Sequence, residues 1–266
     1  MIPLGENRTS FCEKVIWITG ASSGIGAALA VQLSAMGALL ILTSRNESEL
    51  AKVKGRCSGQ VVILPAELTG GSIAALAAAA LAIHGKIDML VNNAGIGQRA
   101  TAEETSEHVL RQIMELDFFA PVLLTQALLP YFRRHGGHVV VTGSMAGLMG
   151  VPRRTAYAAA KHAVMGYFES LQVEHGIAGF YITIVSPGRI RTQFSLNALR
   201  GAGEPHGQMD KAQEKGIPAA VCARKIIRAI ERKQRHVVIA RAEKWLWWLR
   251  KWAPALYYHA SRKLGR

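Results

Sequence analysis

From Lys14 onward, short runs of β-branched and other apolar residues alternate with alanine- and leucine-rich stretches of helical length. Seven runs fit strands: Val15–Thr19, Leu39–Thr43, Val61–Leu64, Ile87–Val91, His138–Thr142, Tyr181–Val185 and Val237–Ala240. Apolar periodicity and cap residues place the helices between them at about Ile25–Met36, Ser48–Lys54, Ser72–Ile83, Ser106–Phe132, Ala156–His175 and Ala219–Lys233. Pro218 opens the last of these as a first-turn proline. Successive parallel strands need right-handed crossovers, so the alternation predicts an α/β fold: a single Rossmann-type, doubly wound parallel sheet of about seven strands with helices on both faces. Residues 1–241 suffice for this one domain, leaving 242–266 as a C-terminal segment. The stretch Gln193–Gly216, with Gly201, Gly203, Pro205 and Gly207, is too long for an ordinary connection and reads as a substrate lid or a disordered loop.

Composition narrows the class. Half of the 266 residues are hydrophobic and 19% are charged, which suits a packed core, and the 26 glycines follow no Gly-X-Y period. No run is expected to reach the roughly 20 apolar residues of a membrane-spanning helix. Met1–Phe11 lacks the apolar core of an export signal, so a cytoplasmic location is the expectation. Cys12, Cys57 and Cys222 show no CxxC spacing and the nine histidines no HExxH, so neither disulfides nor a metal site is expected. The net charge of +14 is concentrated at one end, because residues from Cys222 to Arg266 hold 13 Lys and Arg against two Glu and so carry +11.

The chemistry begins directly after the first strand, at Thr19-Gly20-Ala21-Ser22-Ser23-Gly24-Ile25-Gly26. Glycines in a strand–turn–helix setting let the backbone turn tightly, let a pyrophosphate approach peptide N–H groups, and aim the helix N-terminus at that charge. The second strand ends in Ser44-Arg45. An acidic residue there would bind the 2′-hydroxyl of an adenosine ribose, whereas Arg45 attracts a 2′-phosphate; this favours NADP (NADPH), with a solvated strand-end arginine as the plain alternative. Ser144 follows the fifth strand, and thirteen residues later comes Tyr157-Ala158-Ala159-Ala160-Lys161. A spacing of four puts phenol and ammonium on one helix face, where the cation favours the phenolate and makes Tyr157 usable as an acid or base. The Ser144 hydroxyl could polarise a carbonyl, so Ser144 and Tyr157 are also the candidate substrate contacts.

Together with Asn92-Asn93-Ala94-Gly95 and Ser186-Pro187-Gly188 followed by Thr192, these motifs make the chain resemble the short-chain dehydrogenase/reductase family. Further stretches, such as Phe119-Ala120-Pro121-Val122 and Ser195-Leu196-Asn197-Ala198, extend the likeness to one subgroup as far as about Arg262. The resemblance implies that Tyr157 donates a proton to a ketone, that Lys161 tunes Tyr157 and binds the nicotinamide ribose, and that Ser144 orients the carbonyl. It further implies that Gly20, Ser22, Ser23, Gly24, Ile25 and Gly26 hold pyrophosphate, that Asn93 lines the adenosine ribose, and that Pro187, Ile190 and Thr192 hold the nicotinamide end. Glu67 stands where the family has an Asp beside adenine. Asp117, in Met114-Glu115-Leu116-Asp117-Phe118-Phe119, replaces the Asn that anchors a water-mediated proton relay. If the relay uses the backbone carbonyl, Asp117 is tolerated; if it uses the side chain, the added charge alters the pH profile.

The tail repeats aromatic and cationic residues: Trp245, Trp248, Leu249 and Trp252 share a helical stripe flanked by Lys244 and Lys251. This suits a segment lying peripherally on a membrane surface, or one packed over the domain or a second subunit. The resemblance implies a small-molecule or lipid-like ketone as substrate and a homodimer or homotetramer built through Ser106–Phe132 and Ala156–His175. The rival reading is a catalytically idle dinucleotide sensor or nucleic-acid binder. Intact Ser144, Tyr157 and Lys161 and the absence of a nucleic-acid motif argue against it, so no nucleic-acid partner is expected.

Overall fold

The computed structural model describes residues 11–176 and 178–264. The segment read above for an export signal lies, up to Ser10, outside them. Seven strands form one parallel sheet: β1 (Val15–Thr19), β2 (Leu39–Thr43), β3 (Val61–Ile63), β4 (Met89–Asn92), β5 (Gly137–Thr142), β6 (Phe180–Pro187) and, last in the chain, β9 (His236–Ile239). Their order is β3-β2-β1-β4-β5-β6-β9, one of the orders open to a doubly wound sheet. A separate parallel pair, β7 (Ile190–Arg191) with β8 (Ile217–Pro218), escaped the sequence pattern because two-residue strands carry no periodicity.

Both faces of the sheet are covered, which is why β1 is buried along its whole length rather than alternately. Ile16 and Ile18 point into one core with α1 (Gly24–Ala35) and α8 (Ala219–Glu231), through Leu29, Leu33, Ile226 and Ile230. Val15 and Trp17 point the other way, into a core with α3 (Ile73–His84), α5 (Ala120–His135) and α6 (Thr155–Glu174), where Phe132, Phe168 and Phe180 meet. Each fully buried large side chain contributes about 1.5–3 kcal/mol. The Trp17 indole N–H is satisfied by Thr43 Oγ1 at 2.9 Å. Two shorter helices, α2 (Glu47–Lys54) and α4 (Glu107–Met114), complete the set around the sheet.

Helix Ser106–Phe132 of the sequence reading is observed as α4, one π-helical segment (Glu115–Phe119) and α5, running on to His135. Pro121 accounts for the interruption, since it has no N–H to give the carbonyl four residues back, that of Asp117. Contrary to expectation, the run Glu107–His135 is long and apolar enough to cross a membrane by length and composition. Its Val109, Ile113, Leu124, Leu128 and Phe132 are nevertheless buried against the protein's own cores.

Gln193–Gly216 is folded: a 3₁₀ turn (Gln193–Ser195), isolated bridges of Leu199 to Gln98 and Pro205, and a one-turn helix, α7 (Lys211–Glu214). Beyond β9 the chain forms α9 (Glu243–Trp252) and α10 (Pro254–Leu264). Both pack beside the loop after β5, with Tyr257, Leu246, Trp247 and Leu249 meeting Met145, Leu148 and Met149. The expected tail stripe is therefore split. Leu249 and Trp247 face the protein, whereas Trp245, Trp248 and Trp252 remain 75%, 49% and 70% exposed.

Candidate active site

A cavity of about 1020 Å³ opens at the carboxyl ends of β1, β4, β5 and β6, where the strand order reverses between β1 and β4. Its wall contains Gly20, Ser22, Ser23, Gly24, Ile25, Arg45, Glu67, Asn93, Ser144, Tyr157, Lys161, Pro187, Ile190 and Thr192. Gly26 and Asp117 stand behind that wall.

The glycine turn is shaped for close approach. Gly20 lies at φ +61°, and a Cβ there would come within 2.7 Å of the Ala94 backbone. At Gly26 a Cβ would stand 2.3 Å from the Gly20 carbonyl oxygen, so this residue packs helix against turn rather than lining the cavity. Asn93 braces the turn from β4: its Nδ2 donates to the carbonyls of Thr19 and Gly20 at 3.2 and 3.1 Å. Asn46, Ser72 and Ser106 cap α2, α3 and α4 with their side chains, yet Ser23 makes no side-chain cap on α1 and the first turn of α1 holds no acidic residue. The open N–H groups beside Ser22, Ser23, Gly24 and Ile25 thus fit a dinucleotide pyrophosphate. Farther along, Arg45 Nη1 lies 3.5 Å from Glu67 Oε2, while Glu67 Oε1 accepts the Leu68 and Thr69 N–H groups at 3.0 and 3.3 Å.

At the other end, Ser144 Oγ accepts the Ala146 N–H at 3.1 Å, which leaves its own O–H free to donate. Tyr157 is 5% exposed on the first turns of α6. Its position is set by Gln98, fully buried after β4, whose Oε1 accepts the Ala156 and Tyr157 N–H groups at 2.8 and 3.2 Å and so caps a helix without a side-chain cap of its own. Lys161 Nζ lies 5.8 Å from the Tyr157 ring centroid, donates to the Thr142 carbonyl at 3.0 Å and sits 3.1 Å from Asp117 Oδ2. Asp117 Oδ1 accepts the Ile96 N–H at 2.7 Å. Burial raises the Asp117 carboxyl above its ordinary value, with the Lys161 charge pulling the other way. For Lys161, burial works to lower the ammonium, but the charges of Asp117 and Tyr157 outweigh it and hold it above its ordinary value.

Sequence patterning did not single out several charged groups on the far wall of the cavity. Arg99 is paired with Asp210 through Nε at 3.3 Å and through Nη2, and its Nη1 donates to the Gln98 carbonyl at 2.7 Å. Arg154 reaches the same carboxylate at 3.5 Å. Burial, with the like charge of Arg99, pushes the Arg154 guanidinium down to about 10, against the opposing influence of Tyr157 and Asp210. Burial alone would raise Asp210, but Arg99 first, then Arg154 and His206, hold it below the usual carboxylate range. Glu243, at the start of α9, accepts the N–H groups of Arg189 and Arg241 at 3.0 and 3.1 Å and so ties the tail to the loop after β6. The Tyr257 hydroxyl donates to the Gly150 carbonyl at 2.5 Å, and Leu246 and Ser261 reach the cavity wall. No local motif announces these residues, because Arg99 and Arg154 meet Asp210, Glu243 meets Arg189 and Tyr257 meets Gly150 only across segments distant in sequence.

The short chain dehydrogenase family profile matches residues 14–201. Dehydrogenase/reductase SDR family member 7B of Danio rerio is 36% identical, covering 98% of this chain and 88% of its own length. Among solved structures, a short chain dehydrogenase/reductase from Burkholderia phymatum in complex with NAD superposes with a TM-score of 0.82 at 25% identity, covering 93% of this chain and 96% of that one. A metagenomic short-chain oxidoreductase in complex with NADP gives 0.71 at 27% identity, over 87% and 98% of the two chains.

Proposed function

The chain belongs to the short-chain dehydrogenase family and is an NAD(P)-dependent oxidoreductase, and we propose that within it this protein uses NADPH to reduce a ketone, lipid-like in character, to an alcohol. The observation that carries the reading is the meeting of Ser144, Tyr157 and Lys161 in one cavity with the uncapped N-terminus of α1. Gly20, Ser22, Ser23, Gly24 and Ile25 would hold the pyrophosphate, Arg45 with Ser44 a 2′-phosphate, and Pro187, Ile190 and Thr192 the nicotinamide end. When bound, the reduced dinucleotide supplies the hydride. Ser144 donates its free O–H to the ketone oxygen and holds the carbonyl in place. Tyr157 gives its phenolic proton to the same oxygen, and the Lys161 ammonium favours the phenolate left behind. Ser44 and Arg45, in place of an acid at the end of β2, support the phosphorylated cofactor. The exposed Trp245, Trp248 and Trp252, among the cations of a tail that also reaches the cavity, support docking of this face on a membrane surface. Exposed Leu110, Phe119 and Leu123 on the α4–α5 run support a homo-oligomer formed through that face.

The test is consumption of NADPH against NADH by purified protein over a panel of lipid and steroid ketones. Turnover of one ketone class with NADPH is expected, reduced about 10²–10⁴-fold in Tyr157→Phe. Dinucleotide binding without turnover of any ketone would overturn the reading.

A further inference from the structure

The reading of Asp117 from sequence left open whether its backbone or its side chain matters. The π-helical segment Glu115–Phe119 turns that side chain inward until it is 0% exposed, and the carboxylate meets the Lys161 ammonium at 3.1 Å. Its two oxygens are in different situations. Oδ1 accepts the Ile96 N–H, and Oδ2, completely buried, has no hydrogen-bond partner other than the ion-pair contact with Lys161 Nζ. A neutral carboxyl would need an acceptor for its hydroxyl proton, yet among the described residues none is hydrogen-bonded to Oδ2, whereas the Lys161 cation lies against it. The arrangement therefore suits the charged form. Lys161 is held just as closely: Nζ donates to the Thr142 carbonyl at 3.0 Å and is paired by charge with Asp117 Oδ2, and the residue lines the cavity.

We propose that Asp117 is a positioning residue that acts through Lys161: it fixes the ammonium and offsets its positive field at Tyr157, so that the site is set toward giving a proton to a ketone rather than taking one from an alcohol. The inference rests on Tyr157 acting as the acid. The charged groups facing this pair from the elements packed around it are Lys161 and Tyr157 on α6, with Arg154 and its partner Asp210 on the far side of Tyr157. The Arg154 charge is partly met by Asp210, whereas the Lys161 charge has Asp117 as its carboxylate partner among the described residues.

Asp117→Asn keeps the shape and the acceptor for Ile96 N–H while removing the charge; Asp117→Ser removes the charge with a smaller polar side chain should the first variant fail to fold. The pH dependence of kcat for ketone reduction is measured from pH 6 to 10, together with oxidation of the product alcohol. Removing the carboxylate leaves Lys161 uncompensated, so the alkaline limb of reduction is expected to fall about one pH unit earlier. Alcohol oxidation at pH 7 should rise several-fold. A second readout needs no turnover: ultraviolet titration of tyrosinate in the cofactor-free protein, with Tyr157→Phe identifying the relevant step. That step should move in the same direction. Superposed pH profiles and tyrosinate curves for parent and variant, or a shift to higher pH, would overturn the proposal. A shifted tyrosinate step in a protein that reduces no ketone would instead sink the reductase reading and leave the ion-pair role of Asp117 standing.

Discussion

The two ends of the cavity are made of different material. The part of the cavity proposed to hold the pyrophosphate is built largely from backbone: the Gly20 turn, the uncapped first turn of α1 and the two main-chain carbonyls braced by Asn93, all within the first hundred residues. The opposite part, where the substrate is proposed to sit, is built from side chains contributed by segments far apart in sequence: Arg99, Ser144, Arg154, the Gln193–Gly216 segment with Asp210, and the α9–α10 tail. A backbone site tolerates many substitutions at its non-glycine positions but none that adds a Cβ where chains touch. A side-chain site can be retuned one residue at a time, and its loss should appear in substrate terms rather than cofactor terms.

This difference can be broken most sharply at Gly26. In Gly26→Ala the new Cβ falls 2.3 Å from the Gly20 carbonyl and 2.6 Å from Asn93 Nδ2. Overpacking of this kind costs about 1–3 kcal/mol, and if that strain falls on the binding turn the dinucleotide Kd by fluorescence titration should rise about 10- to 100-fold. Unchanged cofactor affinity would show that the turn yields and that the contrast is overstated.

A smaller effect is expected from Asp210→Asn, which removes the anion shared by Arg99 and Arg154. The ketone KM should rise about tenfold with dinucleotide Kd within twofold, and unfolding free energy should fall by about 1–3 kcal/mol, because two partly buried guanidinium groups lose their counter-charge. The pH dependence has a defined sign. Asp210 is held below its ordinary value of 3.8 in the folded protein, so its stabilisation is present above that pH and disappears as pH falls through the lower, folded value. Urea titrations at pH 7 and pH 3 should therefore differ less for Asp210→Asn than for the parent. Equal differences would remove Asp210 from the acid response.

The smallest effect tests whether the tail belongs to the substrate end. Tyr257→Phe deletes the hydroxyl that donates to the Gly150 carbonyl, a bond worth about 1 kcal/mol. Ketone KM should rise two- to fivefold with cofactor affinity unchanged. If neither constant moves, α9 and α10 cover the cavity without shaping it.

The same contrast explains what could be read in advance. The seven sheet strands were legible within two residues at every end, since each is a short apolar, β-branched run bounded by helical stretches, and the inner strands β1, β4, β5 and β6 are buried almost throughout. The glycine turn, Ser144, Tyr157 and Lys161 were legible because their chemistry depends on local spacing. Gln98 gave no signal: it is a polar residue in a loop, and its function as the cap of α6 exists only once β4 and α6 are neighbours. The tail misled in part, because an amphipathic stripe shows that a helix has two faces and not which side chain meets the domain. Trp247 packs inward where Trp245 and Trp248 do not.

Sequence alone thus determined the parallel sheet, the glycine turn after β1 and the spacing of Ser144, Tyr157 and Lys161, whose physical basis lies in backbone conformation, strand burial and helical repeat over a few residues. The tertiary structure alone decided that Asp117 faces Lys161 with its carboxylate, that Asp210 holds Arg99 and Arg154, and that Glu243 and Tyr257 draw the tail over the cavity. Those are charge and hydrogen-bond pairings between positions 44 to 111 residues apart, with strength set by burial and distance, and neither quantity exists until the chain has folded.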